Sequence, residues 1–398
     1  MHWPLDGVKV LDLGQIYNGS YAGFLLAHAG ADVVKVEPLR GDALRARGGG
    51  QMPLAFSMLN TNKRGLALDL KHERGKALLL SLVREADVLL ENFAPGALER
   101  LGVGAEVLMA ENPRLVYASG TGYGLSGPAK DNLAMDLTVQ AISGVMSVNG
   151  PADGPPLKTG PAICDFFGGV HLYAGIVTAL YEAAKTGVGR QVEVAMQEAV
   201  YPVLATNLTS MHKAGGVQPE RRGNNHPANG PGPYNVYECV DGHIAIICVR
   251  DVHWESFAAL MGRPELIEDP RFCTADERSG NDAPLNEIVQ AWTRAHTKDD
   301  AAAKLKAARV PAAPVRDLVE VTRDEHMHAR GMLHDVEHPI LGPVVLPTSP
   351  LRFSDTPPAE VRVEPTLGEH SAQVLADWLS LSPSDVASLH DDGVVASE

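Results

Sequence analysis

The stretch VKVLDLGQIYNGSYAGFLLAHAGADVVKVE, residues 8–37, decides the fold class of this chain. Residues 8–13 and 32–37 are both rich in valine and other aliphatic residues, as buried strands are. Between them, residues 20–29 are small and apolar and have the spacing of a helix. A strand, a helix and a second strand in this order predict a βαβ unit and therefore a parallel sheet.

The same alternation continues along the first half of the chain. Strand-like segments lie at 65–70, 87–91 and 115–119, and a helical segment lies at 74–85. We therefore expect the α/β class, with a large, doubly wound, Rossmann-like parallel-sheet domain.

The texture of the sequence changes from about Pro219. A segment rich in Gly, Pro and Asn is followed by two alternating strand segments and by a charged helical stretch at 285–308, which predicts a small α+β domain. The boundaries that we predict are 1–200 for the N-terminal part of the large doubly wound domain, 201–225 for a linker, 226–325 for the small domain, and 326–398 for a linker and the C-terminal return to the large domain.

Composition excludes several classes of protein. The formal net charge of -15 argues against nucleic acid or an anionic membrane as the main partner, since both are polyanions. We see no targeting segment and no apolar run approaching the roughly 18 residues of a membrane span, and we therefore expect a cytoplasmic protein. The four cysteines have no metal-ligand spacing and are expected to be reduced thiols, with no metal site.

The first turn after a strand, GQIYNGSYAG at 14–23, is a candidate nucleotide site, because doubly wound sheets bind ligands there. The G-x-G-x-x-G fingerprint is absent from this turn, which argues against a nicotinamide enzyme, and no Walker lysine completes a P-loop. A second glycine-containing loop, NGPGPY at 229–234, fits either a linker or a mobile lid.

A basic and amide-rich cluster is a better candidate for ligand binding. Its cations and amides lie at predicted strand ends and turns, where they could hold phosphates and an adenine edge, although a solvated surface is the usual fate of such residues. The turn at 92–96, NFAPG, favours binding because it adds an aromatic face before Arg100. The cluster consists of Asn62, Lys63, Arg64, Lys71, Asn92 and Arg100.

Asp165 lies in KTGPAICDFFGG, residues 158–169, just before an apolar run with helical spacing. It is predicted at or near the N-cap, where an Asp stabilises a helix by about 1 kcal/mol. However, the first helical turn after it carries Gly168 and Gly169, and each of these glycines costs about 0.8 to 1.0 kcal/mol relative to Ala in a helix. These glycines suggest that a bulky group approaches beside the carboxylate, which the helix start would keep ionised, as a nucleophile must be.

Taken in order, several segments resemble the family III CoA-transferases, the group that includes formyl-CoA transferase and carnitine CoA-transferase and is related to α-methylacyl-CoA racemase. The resemblance runs nearly end to end. Its segments are VKVLDLGQ (8–15), AGADVVKVEP (29–38), GD (41–42), NTNKRGLALDLKHERGK (60–76), LVREADVLLENFAPGALERLG (82–102), SGTGYGLSGP (119–128), TGPAICDFFGGVHLYAGIVTALYEAAKTGVGRQVEVAM (159–196) and PTLGEHSAQVL (365–375).

This resemblance implies a covalent mechanism with Asp165 as the nucleophile. Its carboxylate would attack an acyl-CoA to form an anhydride, which the released CoA converts to an aspartyl-CoA thioester; an incoming acid would then form a second anhydride, which CoA opens. The resemblance also implies an interlocked homodimer. Acyl-CoA and a carboxylic acid would be substrates, with no tightly bound cofactor.

The resemblance implies positions for both parts of the site. Gln15 and Tyr17 stand where formyl-CoA transferase has a histidine and a glutamine, which argues against formate or oxalate as the substrate. The implied CoA-binding residues are Leu68, Lys71, Asn92, Phe93, Arg100 and Leu101. The implied active-site lining is Gln15, Tyr17, Met135, Asp136, Gly230 and Gly232.

Two alternatives remain beside the transferase. An acyl-CoA racemase or epimerase would use an Asp at the position of Asp165, but it also needs a His where this chain has Met135, and a thioether cannot move a proton. A non-catalytic CoA or nucleotide binding protein would bind CoA without turnover.

Overall fold

The computed structural model describes residues 2–48, 52–228 and 230–396. These residues form two compact units. The first comprises Met1–Ser143, Gly160–Val200 and Asp324–Glu398, and the second comprises Gly144–Thr159 and Tyr201–Arg323. The domain boundaries given above at 200, 225 and 325 stay predictions.

The first unit is built on a seven-stranded sheet with the order β12-β3-β2-β1-β4-β5-β6. All neighbouring strands are parallel except β12, which pairs antiparallel with β3. The predicted α/β class with a large parallel sheet is confirmed. The strands are β1 (Lys9–Asp12), β2 (Asp32–Glu37), β3 (Arg64–Leu68), β4 (Val88–Glu91), β5 (Val116–Thr121), β6 (Gln191–Ala195) and β12 (Val395–Ala396).

The order of the strands reverses in the middle of this sheet, although the strands themselves, apart from β12, are parallel. The chain steps from β1 to β2 and β3 on one side, and then from β4 to β5 and β6 on the other. The order therefore reverses between β1 and β4, which is where doubly wound sheets open a crevice at the carboxyl ends of their strands.

Successive side chains of each strand point to opposite faces of the sheet, so both faces are apolar and both are covered by helices. Leu11 belongs to one core cluster and its neighbour Val10 to the other. The helices of the first unit are α1 (Asn18–Ala27), α2 (Leu54–Asn60), α3 (Glu73–Glu85), α4 (Ala97–Leu101), α5 (Ala105–Glu111), α6 (Asp136–Ile142), α7 (Ile163–Thr186), α8 (Met196–Val200), α15 (Glu325–Ala329), α16 (Ser371–Leu379) and α17 (Pro383–Asp391), with a 3-10 turn at Arg45–Gly48 and a hairpin of β10 (Leu333–His338) and β11 (Gly342–Pro347).

Helix α7 corrects one expectation from the sequence. It has 24 residues, and an 18-residue window within it has a mean hydropathy of 1.5, so by length and composition it could cross a membrane, contrary to the expectation that no apolar run was long enough. The core helix of a folded domain can have the same composition. Leu172 and Ile176 of α7 lie fully buried in the cluster on one face of the sheet.

The second unit is a small α+β structure, as predicted. Its antiparallel sheet has the order β7-β8-β9, and Tyr237, Ile244 and Phe257 lie in its core. The predicted linker at 201–225 contains a 3-10 turn and a helix, and Asn229 lies outside the described residues. The elements are α9 (Ala205–Lys213), β7 (Tyr234–Cys239), β8 (Gly242–Ile247), α10 (Asp251–Leu260), α11 (Ala275–Ser279), α12 (Asp282–Thr293), α13 (Lys298–Ala307), β9 (Ala312–Pro314) and α14 (Leu318–Thr322), with 3-10 turns at Met146–Val148, Tyr201–Leu204 and Pro264–Ile267.

Candidate active site

A cavity of about 590 Å³, which we name the switch-point cavity, opens at the carboxyl end of the sheet in the first unit. Loops that follow β1, β4 and β5 form its walls, together with the first turn of α7. It therefore lies where the strand order reverses. Its lining residues are Gln15, Ile16, Asn18, Asn92, Phe93, Ala94, Pro95, Arg100, Gly120, Thr121, Gly122, Tyr123, Lys130, Asp131, Asn132, Leu133, Ala134, Met135, Asp165 and Met196.

Asp165 faces this cavity from the first turn of α7. The helix begins at Ile163 with Ala162 as its N-cap, so Asp165 lies near the cap, as predicted, but three residues beyond it. The capping carboxylate belongs to Asp136, whose Oδ1 accepts hydrogen bonds from the backbone N–H groups of Cys164 at 2.8 Å and Asp165 at 3.3 Å. Asp136 is the first residue of α6, so one helix start is capped by another.

The charge on Asp165 also differs from the expectation. Burial, and next the nearby charge of Asp136, raises the pKa of the Asp165 carboxyl to about 7, while Arg47 opposes them in part. The prediction that the helix start keeps this carboxylate fully ionised is therefore wrong near neutral pH. Desolvation outweighs the favourable field of the helix terminus.

The two glycines after Asp165 make room for another helix rather than for a ligand. A Cβ on Gly168 would lie 2.3 Å from Nδ2 of Asn18, and a Cβ on Gly169 would lie 2.7 Å from the carbonyl oxygen of Asn18. Asn18 is the first residue of α1. The interpretation that these glycines clear space for a substrate is thus wrong, because α1 occupies that space.

The first turn after β1 is held from the side by Asn92. Oδ1 of Asn92 accepts from the N–H of Gln15 at 2.6 Å, and Nδ2 of Asn92 donates to the carbonyl oxygen of Gln15 at 2.9 Å. The next residue, Ile16, has a φ of 60°, which is strained for a β-branched side chain. Although Asn92 lines the cavity, its amide is committed to the loop that carries Gln15.

Two buried ion pairs lie beside the first turn after β1. Nζ of Lys63 binds Oδ2 of Asp12 at 2.7 Å, Nζ of Lys35 binds Oδ2 of Asp42 at 2.8 Å, and both pairs are almost completely buried. Lys35 also donates to the carbonyl oxygen of Gly14. Burial, and next the charge of Lys35, lowers the pKa of Lys63 to about 8, although Asp12 opposes both.

Some members of the predicted basic cluster bind other protein groups instead of facing the cavity. Lys63 is buried among protein groups, and Arg64 pairs with Asp32 and Asp377, so neither is free to hold a phosphate. Asn62 donates to the carbonyl oxygen of Glu360 at 2.9 Å.

The structure brings together six of the predicted site residues. Asp165 shares the switch-point cavity with Gln15, Asn92, Phe93, Arg100 and Met135.

The remaining predicted residues of the first unit lie outside the lining of the cavity. Tyr17 stacks on Phe166, with ring centroids 5.9 Å apart. Leu68 is buried in the core and Leu101 is partly buried against it, and their role in binding CoA stays a prediction. Lys71 is exposed in the turn after β3.

Gly230 and Gly232 belong to the second unit. The N–H of Gly230 donates to Nδ1 of His226 at 3.0 Å, and the carbonyl oxygen of Gly232 accepts from Nε of Arg278 at 2.8 Å. Both glycines are thus held by their neighbours within that unit, and their role in a substrate site stays a prediction.

Sequence reasoning missed Lys130, Asn18 and Arg47. Lys130 follows the quoted segment SGTGYGLSGP, and Asn18 lies inside the first turn after a strand, so position after a strand was the available signal. Arg47 lies in a 3-10 turn that no periodicity indicates.

Comparisons with known proteins identify the family of this chain. Residues 5–371 match CoA-transferase family III. The formyl-CoA:oxalate CoA-transferase of Streptomyces avermitilis is 37% identical, over 98% of this chain and 99% of that protein. The succinyl-CoA:mesaconate CoA-transferase of Haloarcula hispanica is 36% identical, over 93% and 95%.

A solved structure gives the same result at the level of the fold. The crystal structure of a CAIB/BAIF family protein from Brucella suis is 35% identical, covers 95% of this chain and 100% of its own, and superimposes with a TM-score of 0.84. The match to the family covers more than half of this chain, and the relatives match it over nearly their whole length. The chain therefore belongs to CoA-transferase family III and is a CoA-transferase.

Proposed function

We propose that this enzyme moves CoA from an acyl-CoA thioester to a carboxylic acid through covalent intermediates on Asp165. The observation that carries the proposal is the carboxyl of Asp165, which lines the switch-point cavity with a pKa of about 7. About half of these carboxyls are therefore ionised at neutral pH. A partly desolvated carboxylate is a stronger nucleophile than one fully surrounded by water.

The first half of the reaction transfers CoA to the enzyme. A carboxylate oxygen of Asp165 attacks the thioester carbonyl carbon, the C–S bond breaks, and CoA leaves as a thiolate from an acyl-aspartyl anhydride. The thiolate then attacks the aspartyl carbonyl carbon of this anhydride. That step releases the first acid as a carboxylate and leaves an aspartyl-CoA thioester.

The second half repeats these steps in reverse order. The acceptor carboxylate attacks the aspartyl thioester, which expels the CoA thiolate and forms a second anhydride. Attack of the thiolate on the acceptor's acyl carbon gives the new acyl-CoA and restores the carboxylate of Asp165. Each bond that breaks is replaced by one of similar energy, so the cycle needs no external energy source.

Cations of the first unit support the CoA part of the proposal. Arg100 and Lys130 both line the switch-point cavity, and Phe93 adds an aromatic face beside them. Because the protein has a net charge of -15, an anionic ligand such as CoA needs such a local group of cations. We propose that the phosphates and the adenine of CoA lie along Arg100, Lys130 and Phe93.

The contacts of Asp136 favour transfer over racemisation. Oδ1 of Asp136 accepts two backbone N–H groups, and Oδ2 accepts Nε2 of Gln140 at 2.6 Å. Asp136 is therefore committed to holding helices, and Met135 cannot serve as a second acid or base. A racemase would need such a group beside the α-carbon of its substrate.

A homodimer is proposed from the exposed face of α7. Phe167, Val170 and Tyr181 on this helix are 39%, 44% and 65% exposed, and a second copy of this chain would bury them. Light scattering of the purified protein tests this proposal, with a monomer mass as the contrary result.

We also propose a cytoplasmic location for this protein, because all four cysteines are free thiols.

Trapping of the intermediate tests the mechanism. After incubation with acyl-CoA, hydroxylamine should convert the activated carboxyl of Asp165 to a hydroxamate that mass spectrometry of peptides detects. Asp165→Asn has nearly the same shape and should show neither the hydroxamate nor CoA transfer. Transfer by Asp165→Asn at the wild-type rate would overturn the assignment of the nucleophile.

The acids themselves are proposed from the relatives. Their names give formyl-CoA with oxalate and succinyl-CoA with mesaconate. Because Gln15 and Tyr17 argue against formate and oxalate, we propose carboxylic acids of about the size of succinate and mesaconate for the present enzyme. Each donor should be tested with each acceptor, with new thioesters measured by mass spectrometry. Exchange of the α-hydrogen in deuterated water, without any acceptor, would instead indicate a racemase.

A further inference from the structure

The side chain of Asn18 is enclosed between two glycines at the wall of the switch-point cavity. A Cβ on Gly120, in β5, would lie 2.5 Å from Oδ1 of Asn18, and a Cβ on Gly168, in α7, would lie 2.3 Å from Nδ2. Only 3% of the residue is exposed. Any larger residue at either glycine would collide with this amide, which limits its rotation.

The amide oxygen, which can only accept, is not used by the described part of the protein, and the amide nitrogen, which is the donor, lies against Gly168. Within the part of the chain that the structure describes, Oδ1 of Asn18 has no hydrogen-bond partner although it is buried. A buried polar group without a partner lowers stability, and such groups are rare outside functional sites. An apolar side chain of similar size would fill the same space without that cost, so packing alone does not explain an asparagine here.

The position of the amide relates it to Asp165. Gly168 follows Asp165 by three residues on α7, so both lie on one face of the helix. Nδ2 of Asn18 lies against Gly168, and Asn18 and Asp165 line the same cavity. An acyl group attached to the carboxylate of Asp165 would occupy the cavity that this amide also lines.

We propose that the side-chain amide of Asn18 donates a hydrogen bond to the acyl carbonyl oxygen while Asp165 attacks the thioester. This inference rests on the proposed function. As the carboxylate oxygen bonds to the acyl carbon, the carbonyl π pair moves onto the oxygen, and the N–H of Asn18 stabilises that negative charge. The pair returns when the C–S bond breaks and the CoA thiolate leaves, and no proton is transferred.

The restricted amide suits this task because a donor that is already oriented needs no rearrangement as charge develops. Other donors at the cavity are less available. The N–H of Gln15 is bound to Asn92 at 2.6 Å, and the hydroxyl of Tyr123 donates to Oγ1 of Thr138 at 3.4 Å. The side chain of Gln15 is a competing donor at the same cavity.

Asn18→Leu removes the donor and keeps a similar volume. We expect kcat to fall about 100-fold, as for the loss of one oxyanion donor, with KM for acyl-CoA within about threefold of wild type. The rate of hydroxamate formation at Asp165 should fall in parallel. The melting temperature should be unchanged or higher, because an unpartnered buried oxygen has been removed.

Asn112→Leu is the matched control. Nδ2 of Asn112 donates to the carbonyl oxygens of Val83 and Ala86 at 2.8 Å each, away from the cavity. This variant should melt at a lower temperature with kcat unchanged, which is the behaviour of a structural asparagine. If Asn18→Leu gives that pattern as well, the inference is overturned.

Asn18→Ala is a second variant, which controls for the possibility that the leucine of Asn18→Leu does not fit the site. It only removes atoms and therefore cannot introduce a steric clash. It should show the same loss of kcat, and wild-type kcat in Asn18→Ala would overturn the inference. A 100-fold loss in Gln15→Leu, with little loss in Asn18→Ala, would assign the donor to Gln15 instead. Because the wild-type enzyme is assayed alongside, absence of any CoA transfer would refute the proposed function itself and not this inference alone.

Discussion

Asp136 both caps the helix that carries Asp165 and repels the charge of Asp165. Its Oδ1 accepts from the backbone N–H of Asp165 at 3.3 Å and of Cys164 at 2.8 Å, while its charge helps to raise the pKa of the Asp165 carboxyl. One carboxylate thus fixes the position of the nucleophile and delays its ionisation. The two effects can be separated by substitution.

Asp136→Asn should shift the pH dependence of catalysis to lower pH. An asparagine keeps an oxygen that can cap the helix but removes the negative charge, so the pKa of Asp165 should fall from about 7. We expect the midpoint of kcat/KM for acyl-CoA to move down by roughly one pH unit, since burial, the larger cause, remains. Glu106→Gln, at an exposed position in α5, is the control, and an unchanged midpoint in Asp136→Asn would contradict the coupling.

The pH dependence of stability gives an independent measure of the same carboxyl. Its pKa is about 7 in the folded protein and about 3.9 in an unfolded chain, so the folded state binds more protons between these values. The contribution of Asp165 to stability is therefore full below about pH 4 and is lost as pH rises through 7.

Asp165→Asn lacks this titration. Relative to wild type, the variant should gain about 2–4 kcal/mol of unfolding free energy on going from pH 4 to pH 8. Urea unfolding of both proteins at the two pH values measures the change. An equal difference at both pH values would show that the carboxyl titrates normally in the folded protein.

The sequence predicted the sheet well and the surroundings of Asp165 poorly, for one physical reason. The strand at 32–37 coincides with β2 because its apolar pattern is local. The cap of α7 comes instead from Asp136, and the space above Gly168 is filled by Asn18. Both are contacts between distant parts of the chain, which spacing rules cannot detect.

Asn92 gives a further example of a role set by distant contacts. Its position suggested an adenine or phosphate ligand, and its neighbours Phe93 and Arg100 do line the cavity. Its own amide, however, binds both backbone groups of Gln15, 77 positions earlier in the chain. Residue type and position after a strand predicted the location of Asn92 but not the partner of its amide.

Asn92→Leu should therefore destabilise the first turn after β1. Two hydrogen bonds to the backbone of Gln15 are lost, beside a strained Ile16, and we expect a loss of about 2–3 kcal/mol in the free energy of unfolding. Asn92→Asp keeps the acceptor for the N–H of Gln15 but places a carboxylate oxygen against the carbonyl oxygen of Gln15, so it should be destabilised as well. If both variants unfold like wild type and only KM for acyl-CoA rises, Asn92 is a ligand-binding residue rather than a support.

Gly168→Ala distinguishes the two roles that a glycine beside the nucleophile can have. If it admits the substrate, the alanine should leave stability unchanged and raise KM. The structure predicts the opposite, because the new Cβ would lie 2.3 Å from Nδ2 of Asn18 and 3.0 Å from Cγ of Met196. We expect a loss of about 1–3 kcal/mol in unfolding free energy, measured in urea.

The double variant Asn18→Ala/Gly168→Ala makes this prediction specific. Shortening Asn18 removes the nearest atom, so the double variant should recover most of the stability lost by Gly168→Ala, with a coupling energy of about 1–2 kcal/mol. Gly160→Ala is the control, since a Cβ there meets nothing within 4 Å. Additive losses in the double variant would mean that Gly168 is constrained by something other than Asn18, and the enclosure of the Asn18 amide would lose its main support.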